Sequence, residues 1–283
     1  MRLDVYLAAH GFSSRTRAAR AVREGRVLLN GKPGRVSDEV RESDAVEILE
    51  GGDTEFVSEG GKKLRSFFRS FPEEDVGGLV CADLGASTGG FCDVLLRAGA
   101  KRVYAVDVGE GQLDGRIAED PRVVAMDRTN ARYLDASSFP ERVECVTGDV
   151  SFISLSLLFP AIAGILPEGG KAYLLAKPQF ECGGKGLDRH GIVKDPAVRA
   201  KVIAKLCEEA ELSGLSVFAG AEAPRKERKN REYVLGFVRG GSGAISAAER
   251  TAFAEQCVSG GTAGIRKEKT RSGAEREERG ENP

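Results

Sequence analysis

The pattern of apolar and polar positions divides the chain into a short N-terminal region and a longer region of alternating elements. In the first region, apolar residues at helical spacing predict a short helix, and Ser13-Ser14 can cap a second helix from about Arg15 to Glu24. Asn30-Gly31 follows an apolar run and predicts a hairpin, while Val46–Leu49 alternates as a short strand. These elements predict a small α+β domain over residues 1–50.

From Gly78 onward, short apolar runs alternate with helical stretches, which predicts a parallel sheet with helices on both faces and an antiparallel edge. The predicted strands are Leu79–Leu84, Val103–Val106, Val123–Met126, Val143–Val146, Ala172–Ala176, Leu215–Phe218 and Tyr233–Val238. The predicted helices are Phe91–Ala98, Phe152–Leu166 and Val198–Leu212. The fold class is therefore α/β, a Rossmann-like sheet combined with the small N-terminal domain.

Composition changes mark the domain boundaries. A length of 283 residues is typical of about two domains. We expect a linker over residues 51–60 and the larger domain over residues 61–239. Residues 240–283 are rich in glycine, serine and charge, and from about residue 262 they contain almost nothing to bury, which predicts a charged, largely disordered tail.

Composition excludes several classes of protein. The net charge of −1 excludes a uniformly basic nucleic-acid binder, although a local basic patch remains compatible with it. The charged N-terminus lacks the apolar run of a signal peptide, and no apolar stretch is long enough to span a membrane. The six scattered cysteines form no CxxC pair, which favours free thiols in a reducing compartment. We expect a cytoplasmic protein without a metal or a membrane partner; the sequence does not indicate its oligomeric state.

The first 35 residues contain eight basic and two acidic residues, and the next 24 contain one basic and nine acidic residues. Three arginines of the second predicted helix, Arg17, Arg20 and Arg23, are spaced three residues apart and therefore share one face of the helix. Guanidinium groups bind phosphates, so this surface is a candidate nucleic-acid interface, although a solvated helix face would give the same pattern. The candidate RNA-binding residues are Arg15, Arg17, Arg20, Arg23, Arg26, Asn30 and Lys32.

A glycine-rich loop follows the first predicted strand of the larger domain, at the position where open α/β sheets bind ligands. Its G-x-x-x-G-G spacing differs from the dinucleotide and phosphate-loop patterns. Asp83 places a carboxylate beside the loop, which suits a cationic ligand better than a pyrophosphate. S-adenosylmethionine carries a sulfonium and an amino group, and is the candidate ligand. The loop residues assigned to it are Asp83, Gly85, Ala86, Ser87, Thr88, Gly89, Gly90 and Phe91.

Acidic residues also follow the next three predicted strands. Asp107 is placed to accept hydrogen bonds from ribose hydroxyls, Asp127 to contact the adenine, and Asp149 ends the fourth strand. A single aspartate after a strand is usually a turn or capping residue, but four in succession favour a ligand site. Asp149-Val-Ser151 could in addition cap the helix predicted from Phe152.

Methyl transfer from a sulfonium requires an aligned acceptor oxygen and removal of its proton. A lysine can act as the base when its neighbours or burial favour the neutral amine. Lys177 ends an apolar strand and points to the same sheet edge as Asp149. Lys63 precedes the larger domain's sheet, and Glu232 lies beside the late strand. A surface lysine would be the ordinary alternative for each.

The string RLDVYLAAHGFSSRTRAARAVREGRVLLNGK resembles the RNA-binding domain of ribosomal protein S-four. The chain as a whole resembles the TlyA family of haemolysin-like ribosomal RNA 2′-O-methyltransferases, whose large domain is FtsJ-like. The motifs that carry this resemblance over about residues 1–238 are Val57–Leu64, Asp83–Phe91, Val103–Leu113, Asp120–Val123, Thr129–Arg132, Asp149–Leu155, Lys177–Glu181 and Gly191–Pro196.

The resemblance implies S-adenosylmethionine as cofactor, ribosomal RNA or ribosomal subunits as partner, and a catalytic set of Lys63, Asp149, Lys177 and Glu232. In this scheme Lys177 deprotonates or activates the ribose 2′-hydroxyl, Asp149 and Lys63 tune it electrostatically, and Glu232 orients the group. The cofactor set extends to Val108 and Asp149.

Two segments depart from the family pattern. Glu59 replaces an arginine, and the segment Arg225–Glu232 keeps Asn230 and Glu232 without the usual glycines. Two alternatives stay open: an RNA-binding assembly factor with weak or no methyl transfer, and a membrane-acting haemolysin.

Overall fold

The structure is a computed structural model that describes residues 1–10, 15–23, 27–41, 43–48, 56–241 and 245–265. Within helix α2, the side chains of residues 16, 17, 20 and 23 are outside the described set. The predicted caps around this helix, the linker core at 51–55 and the segment 266–283 also lie outside the described residues.

The N-terminal region contains two helices and a three-stranded sheet, as predicted. Its elements are α1 (Leu3–Ala9), α2 (Arg15–Arg23), β1 (Val27–Leu29), β2 (Lys32–Pro33) and β3 (Val46–Ile48), with the antiparallel strand order β2-β1-β3. Asn30 and Gly31 both have positive φ (53° and 75°), which is the geometry of a type I′ hairpin turn. Apolar side chains form one core, with Leu3, Leu7, Ala18, Ala21, Val22, Val27 and Val40.

The larger region contains an eight-stranded sheet in the order β11-β9-β10-β8-β7-β4-β5-β6. The strands are β4 (Val80–Leu84), β5 (Arg102–Val106), β6 (Val123–Met126), β7 (Cys145–Gly148), β8 (Lys171–Ala176), β9 (Leu215–Glu222), β10 (Tyr233–Arg239) and β11 (Thr262–Gly264). The helices are α3 (Glu59–Ser70), α4 (Gly90–Arg97), α5 (Gly115–Ala118), α6 (Phe159–Ile165), α7 (Pro178–Glu181), α8 (Pro196–Leu212) and α9 (Ala247–Val258). β4, β5 and β6 are parallel, whereas β10 is antiparallel to β8 and β9.

This architecture confirms the predicted α/β class with an antiparallel edge. The strand order reverses beside β4, because the chain continues to β5 on one side and later returns to β7 on the other. Such a switch point is where open α/β sheets bind their ligands. The chain divides into two compact units, residues 1–133 with 147–149, and residues 134–146 with 150 onward. The switch point at β4 and the end of β7 belongs to the first unit.

The prediction of one helix over Phe152–Leu166 is wrong. A 3₁₀ turn covers Leu155–Leu157, and α6 begins only at Phe159. Ser154 caps the 3₁₀ turn, and the Glu181 carboxylate accepts hydrogen bonds from its hydroxyl and from the Leu155 amide. Asp149-Val-Ser151 therefore caps no helix, since local side-chain hydrogen bonds replace the first helical turn.

The prediction of a largely disordered tail from residue 240 is wrong for its first part. A capping box of Ser246 and Glu249 begins α9, and β11 pairs with β9. Helix α9 buries Phe253 and Cys257 against Gly220 of β9, where an added Cβ would lie 2.8 and 2.7 Å from these side chains. The boundary of the predicted linker also shifts, because α3 already begins at Glu59.

Helices α3 and α4 meet through glycines at their N-termini. A Cβ on Gly61 would lie 2.9 Å from the Gly90 carbonyl oxygen and 2.5 Å from Phe56, and a Cβ on Gly90 would lie 3.0 Å from the Gly61 nitrogen. The contacts between Gly61 and Gly90 involve backbone atoms, so no rotamer change can relieve them. The Gly-Gly pairs at 60–61 and 89–90 thus allow the backbones of the two helices to approach closely.

We expect Gly61→Ala to lower the free energy of unfolding by about 1–3 kcal/mol, because the added methyl group forces the two helix N-termini apart. Urea unfolding of the full chain measures this change. Gly115→Ala is the matched control, since a Cβ there is 3.7 Å from its nearest neighbour, Glu119. Equal stability of the Gly61 variant and the control would contradict the packing described.

Candidate active site

Asp83 is the penultimate residue of β4 and is buried, with 1% of its surface exposed. One carboxylate oxygen accepts a hydrogen bond from the Thr147 hydroxyl of β7 at 2.8 Å, and the other accepts one from the Cys92 amide of α4 at 3.1 Å. The sequence assigned this carboxylate to the ligand, whereas in the structure both oxygens bind protein donors. Asp83 therefore holds the N-terminus of α4 against the ends of β4 and β7.

Burial raises the pKa of Asp83 to about 6, and the hydrogen bonds from Cys92 and Thr147 oppose this rise without cancelling it. The negative charge of Asp149 raises the pKa of Asp83 further. Burial likewise raises the pKa of the Cys92 thiol, whose sulfur lies 3.1 Å from the Asp83 carboxylate. Near neutral pH, the carboxylate is thus charged at a cost in stability.

The glycine loop between β4 and α4 turns through three residues with positive φ, Gly85 (77°), Ser87 (48°) and Gly89 (89°). A Cβ on Gly89 would lie 3.0 Å from Ile117, so the left-handed conformation and the contact both require glycine. Ser87 and Thr88 are exposed, while Ala86, Gly90 and Phe91 are buried. The loop therefore presents its outer turn to solvent, and Phe91 packs in the core.

The carboxylates after β5 and β6 bind the backbone of neighbouring loops. Asp107 accepts hydrogen bonds from the Ser87 amide at 2.8 Å and from the Gly109 amide at 2.7 Å, and the Gln112 side chain donates to it at 3.3 Å. Asp127 accepts a hydrogen bond from the Gly111 amide at 2.9 Å. The ends of β4, β5 and β6 are thus joined into one surface, with both carboxylates partly exposed.

These residues fit S-adenosylmethionine. The positive-φ glycines Gly85 and Gly89 leave the loop backbone without side chains at these turns, and the partly exposed Asp107 and Asp127 supply acceptors for hydroxyl and amino groups. Val108 is 71% exposed directly after Asp107 and offers an apolar surface for a planar ring. Asp83 contributes by positioning the loop rather than by facing its ligand.

Asp149 follows β7 and is partly buried, and its amide donates a hydrogen bond to the Leu84 carbonyl of β4 at 3.2 Å. One carboxylate oxygen lies 3.3 Å from the position of a Cβ on Gly60, in the first turn of α3. Lys63, one turn further along α3, is also partly buried. The structure therefore places Asp149 beside the helix that carries Lys63.

Lys177 follows β8 and is only 7% exposed, which is rare for a lysine. Its ammonium group donates a hydrogen bond to the Ser151 hydroxyl at 2.7 Å and lies 6.0 Å from the centre of the Phe180 ring. The Phe180 ring in turn contacts the Phe152 ring, with the centroids 5.2 Å apart. Lys177 is therefore held by neighbours rather than solvated.

Phe152 departs from the behaviour of an ordinary apolar residue in two respects. It is 87% exposed, and its φ of 67° is in the left-handed region that bulky side chains rarely adopt. Backbone strain of this kind is concentrated at functional sites. An exposed ring beside the lysine's aromatic neighbour can stack on a planar group.

Glu232 precedes β10, and its carboxylate accepts a hydrogen bond from the Gln179 amide at 3.2 Å. The preceding Asn230 accepts a hydrogen bond from the Val193 amide and donates one to the Gly191 carbonyl, each at 2.9 Å. The segment before β10 is therefore tied down by Asn230, and Glu232 has a polar partner.

Of the predicted RNA-binding residues that the structure describes, the arginines belong to α2, Asn30 to the hairpin turn and Lys32 to β2. Arg15 is exposed and binds Asp4 at 3.0 Å, and Lys32 is exposed on β2. The Asn30 side chain bonds to Asp44 and to the Ala45 amide, so it shapes the hairpin. The described residues do not include Arg26, and they include only the backbone of Arg17, Arg20 and Arg23.

Sequence reasoning missed the side chains that position the others, namely Gln112, Thr147, Ser151 and Gln179. Three of them, Gln112, Ser151 and Gln179, lie within the motifs that carried the family resemblance. Their proximity to acidic or basic candidates in these motifs was a signal, but the contacts of Thr147 with Asp83 span 64 residues and required the fold.

Among the residues that the structure describes, no helix is long and apolar enough to cross a membrane. The same residues contain no group of three or more histidine, cysteine, aspartate or glutamate side chains that could hold a metal ion.

Residues 56–239 match the family model of FtsJ-like methyltransferases, and residues 1–46 match that of the S4 domain. The chain is similar to the 16S/23S rRNA (cytidine-2′-O)-methyltransferase TlyA of Mycobacterium tuberculosis, with 38% identity over 83% of this chain and 88% of that protein. It is also similar to Hemolysin A of Brachyspira hyodysenteriae, with 34% identity over 84% of this chain and 100% of that protein. Among solved structures, a protein described as a hemolysin from Streptococcus thermophilus has 34% identity and a TM-score of 0.66, covering 90% of this chain and 96% of that one.

We expect Asp83→Asn to remove a pH dependence of stability. With a pKa of about 6 in the folded chain and 3.8 as its ordinary value, Asp83 stabilises the fold fully below pH 3.8 and loses this contribution as pH rises to about 6. The free energy of unfolding of the variant, relative to that of the parent chain, should rise by up to about 3 kcal/mol between pH 4 and pH 7.

Urea unfolding at several pH values measures this difference. Asp188→Asn is the control, because the hydrogen bond from the Ile192 amide and the ion pair with Lys194 lower the pKa of Asp188 to about 2, outside this window. A pH profile of Asp83→Asn that is parallel to that of the parent chain would contradict the assignment.

Proposed function

The chain belongs to the TlyA family of FtsJ-like methyltransferases, which use S-adenosylmethionine, and from that premise we propose that it methylates a ribose 2′-hydroxyl of ribosomal RNA. Family membership confirms the predicted enzyme class and cofactor. The names of relatives, including a 16S/23S rRNA (cytidine-2′-O)-methyltransferase, support a cytidine of ribosomal RNA as the substrate. Because the proposed substrate is ribosomal RNA, we propose that the protein acts in the cytoplasm.

The observation that carries the proposal is the buried Lys177, fixed by Ser151 at the end of β8. A 2′-hydroxyl must lose its proton as its oxygen attacks the methyl carbon. In its neutral form, the Lys177 amine accepts that proton and becomes an ammonium ion. This ammonium ion can then donate a hydrogen bond to the Ser151 oxygen. Burial excludes water from this transfer.

When bound, S-adenosylmethionine would supply the methyl group from its sulfonium. The loop after β4, with Asp107, Val108 and Asp127, is proposed to hold it. Lys63 and Asp149 are proposed, as the family resemblance implies, to tune the reacting group electrostatically. Glu232, held by Gln179, is proposed to orient the acceptor.

The N-terminal S4 domain is proposed to bind structured RNA through the exposed Arg15 and Lys32, the hairpin at Asn30, and Arg17, Arg20, Arg23 and Arg26. Rigid basic faces suit folded RNA, whose shape and phosphates are read rather than its bases. We propose residues 1–50 as this RNA-binding domain and residues 61–239 as the methyltransferase domain.

We expect Lys177→Met to abolish methyl transfer, with a loss of at least about 100-fold, while the affinity for S-adenosylmethionine stays unchanged. Methionine fills the buried volume but accepts no proton. The assay is transfer of tritiated methyl groups to ribosomal subunits and to naked ribosomal RNA, followed by nucleoside analysis.

Lys201→Met, an exposed lysine on α8, is the control and should keep normal activity. Normal transfer by Lys177→Met would refute the role of this lysine. Label outside 2′-O-methylnucleosides would refute the proposed chemistry, and absence of label despite cofactor binding would favour an RNA-binding assembly factor.

A second prediction concerns Phe152, which we propose stacks on a nucleobase near the acceptor. Phe152→Ala should lower kcat/KM for RNA about 10-fold, since one base–aromatic stack contributes roughly 1–3 kcal/mol. Phe152→Tyr should retain activity, and Leu212→Ala, an equally exposed apolar position on α8, should have no effect. Equal activities of the alanine and tyrosine variants would exclude stacking.

A further inference from the structure

The loop between β9 and β10 forms one wall of a cavity of about 760 Å³. The opposite wall comes from the segment 188–199, at the start of α8. Six of the described side chains that line this cavity are cationic and one, Asp188, is anionic. The cations are Lys194, Arg199, Arg225, Arg228, Lys229 and Arg231.

Nearby carboxylates neutralise only part of this charge. Asp188 binds Lys194 at 2.9 Å, and Glu222 binds Arg231 at 2.6 Å and lies 3.9 Å from Arg225. Within the described part of the chain, neither Arg228 nor Lys229 has a carboxylate within ion-pair distance, and both are exposed. The cavity therefore keeps a net positive charge in a chain whose total charge is −1.

A buried cation lies in the floor of the cavity. Arg199 is 6% exposed, and its guanidinium donates hydrogen bonds to the Tyr233 hydroxyl at 3.0 Å and to the carbonyls of Val193 and Lys194 at 3.0 and 2.6 Å. These described partners are neutral, so its charge adds to the field inside the cavity. An uncompensated charge in a low-dielectric setting attracts anions more strongly than one at the surface.

The cavity is also built rigidly, although one of its walls is a loop. Asn230 ties that loop to Gly191 and Val193 through two hydrogen bonds of 2.9 Å. Arg231 is fixed by both oxygens of Glu222. Preorganised donors lose less conformational entropy on binding, so this arrangement favours ligand capture.

The position of the loop in the chain connects it to the proposed chemistry. Glu232 follows Arg231 directly and binds Gln179, two residues beyond Lys177. A ligand in the cavity would thus contact the segment that holds a proposed catalytic carboxylate.

We propose that this cavity binds the phosphates of the RNA strand next to the target nucleotide, as a second RNA-binding site besides the S4 domain. The inference rests on the proposed function for the identity of the RNA. A volume of about 760 Å³ with six cations exceeds what one inorganic phosphate would use, and the exposed Arg228 and Lys229 suit successive singly charged phosphates.

The test variant is Arg228→Asn with Lys229→Gln. Arg228 has a φ of 59°, a conformation that asparagine tolerates well, so the exchange removes two charges while retaining the loop geometry. The control is Arg142→Gln with Lys201→Gln, which removes the same charge from two exposed positions that do not line the cavity.

Binding of naked ribosomal RNA to the full chain is measured at several salt concentrations. The variant should reduce the slope of log Kd against log salt by about 1.4–1.8, the value expected for two lost phosphate contacts. Its kcat/KM for RNA should fall about 10-fold or more through KM, with the affinity for S-adenosylmethionine unchanged. The control should retain the parent slope and kcat/KM.

An unchanged slope and unchanged KM for RNA in the variant would overturn the inference while leaving methyl transfer by the parent chain intact. The parent chain could also transfer no methyl group while the variant still shows the reduced slope of log Kd against log salt. That result would support the inference and refute the proposed function. Inorganic tripolyphosphate is the competing probe. If it binds the parent chain tightly and the variant weakly while RNA binding is equal in both, the cavity is a site for a small anion and the RNA inference fails.

Discussion

The buried carboxylate of Asp83 is the constraint on which the cofactor side of the site depends. Its two oxygens join the end of β4 to the N-terminus of α4 and to β7, through Cys92 and Thr147. Its described hydrogen-bond donors are all neutral, so burial destabilises its charged form and the fold bears that cost at neutral pH. The benefit is position, because the glycine loop begins directly after Asp83 and its backbone must stay open to a ligand.

Side chains, rather than backbone, shape the region around Lys177. A serine hydroxyl and an aromatic ring hold the lysine, and a glutamine amide holds Glu232. Asn230, two residues before Glu232, hydrogen-bonds to Gly191 and Val193 and so anchors its loop. The loop therefore carries a high positive charge while its asparagine anchor holds it in place.

Local signals in the sequence predicted most of the fold. The Asn30-Gly31 turn and the strands after Gly78 were recovered because turn chemistry and apolar runs act over short distances. The prediction of one helix over Phe152–Leu166 is wrong because Ser154 hydrogen-bonds to Glu181 instead of joining a first helical turn. These two residues are 27 positions apart, so no local pattern indicates their contact. The capping box of Ser246 and Glu249 is a local signal for the start of α9, and the prediction of a disordered tail did not take it into account. Of the site, the charged residues were identified from motifs, but their positioning partners required the three-dimensional structure.

The last described strand has a consequence for the colloidal behaviour of the protein. β11 has only three residues, yet it occupies the outer side of β9 and satisfies backbone groups at Ala219, Gly220 and Ala221. An uncovered edge strand is a template for other chains, and a short added strand blunts it. The described residues 245–265, which lie beyond the FtsJ-like match, thus shield the outer side of β9 from edge-to-edge pairing in the folded protein.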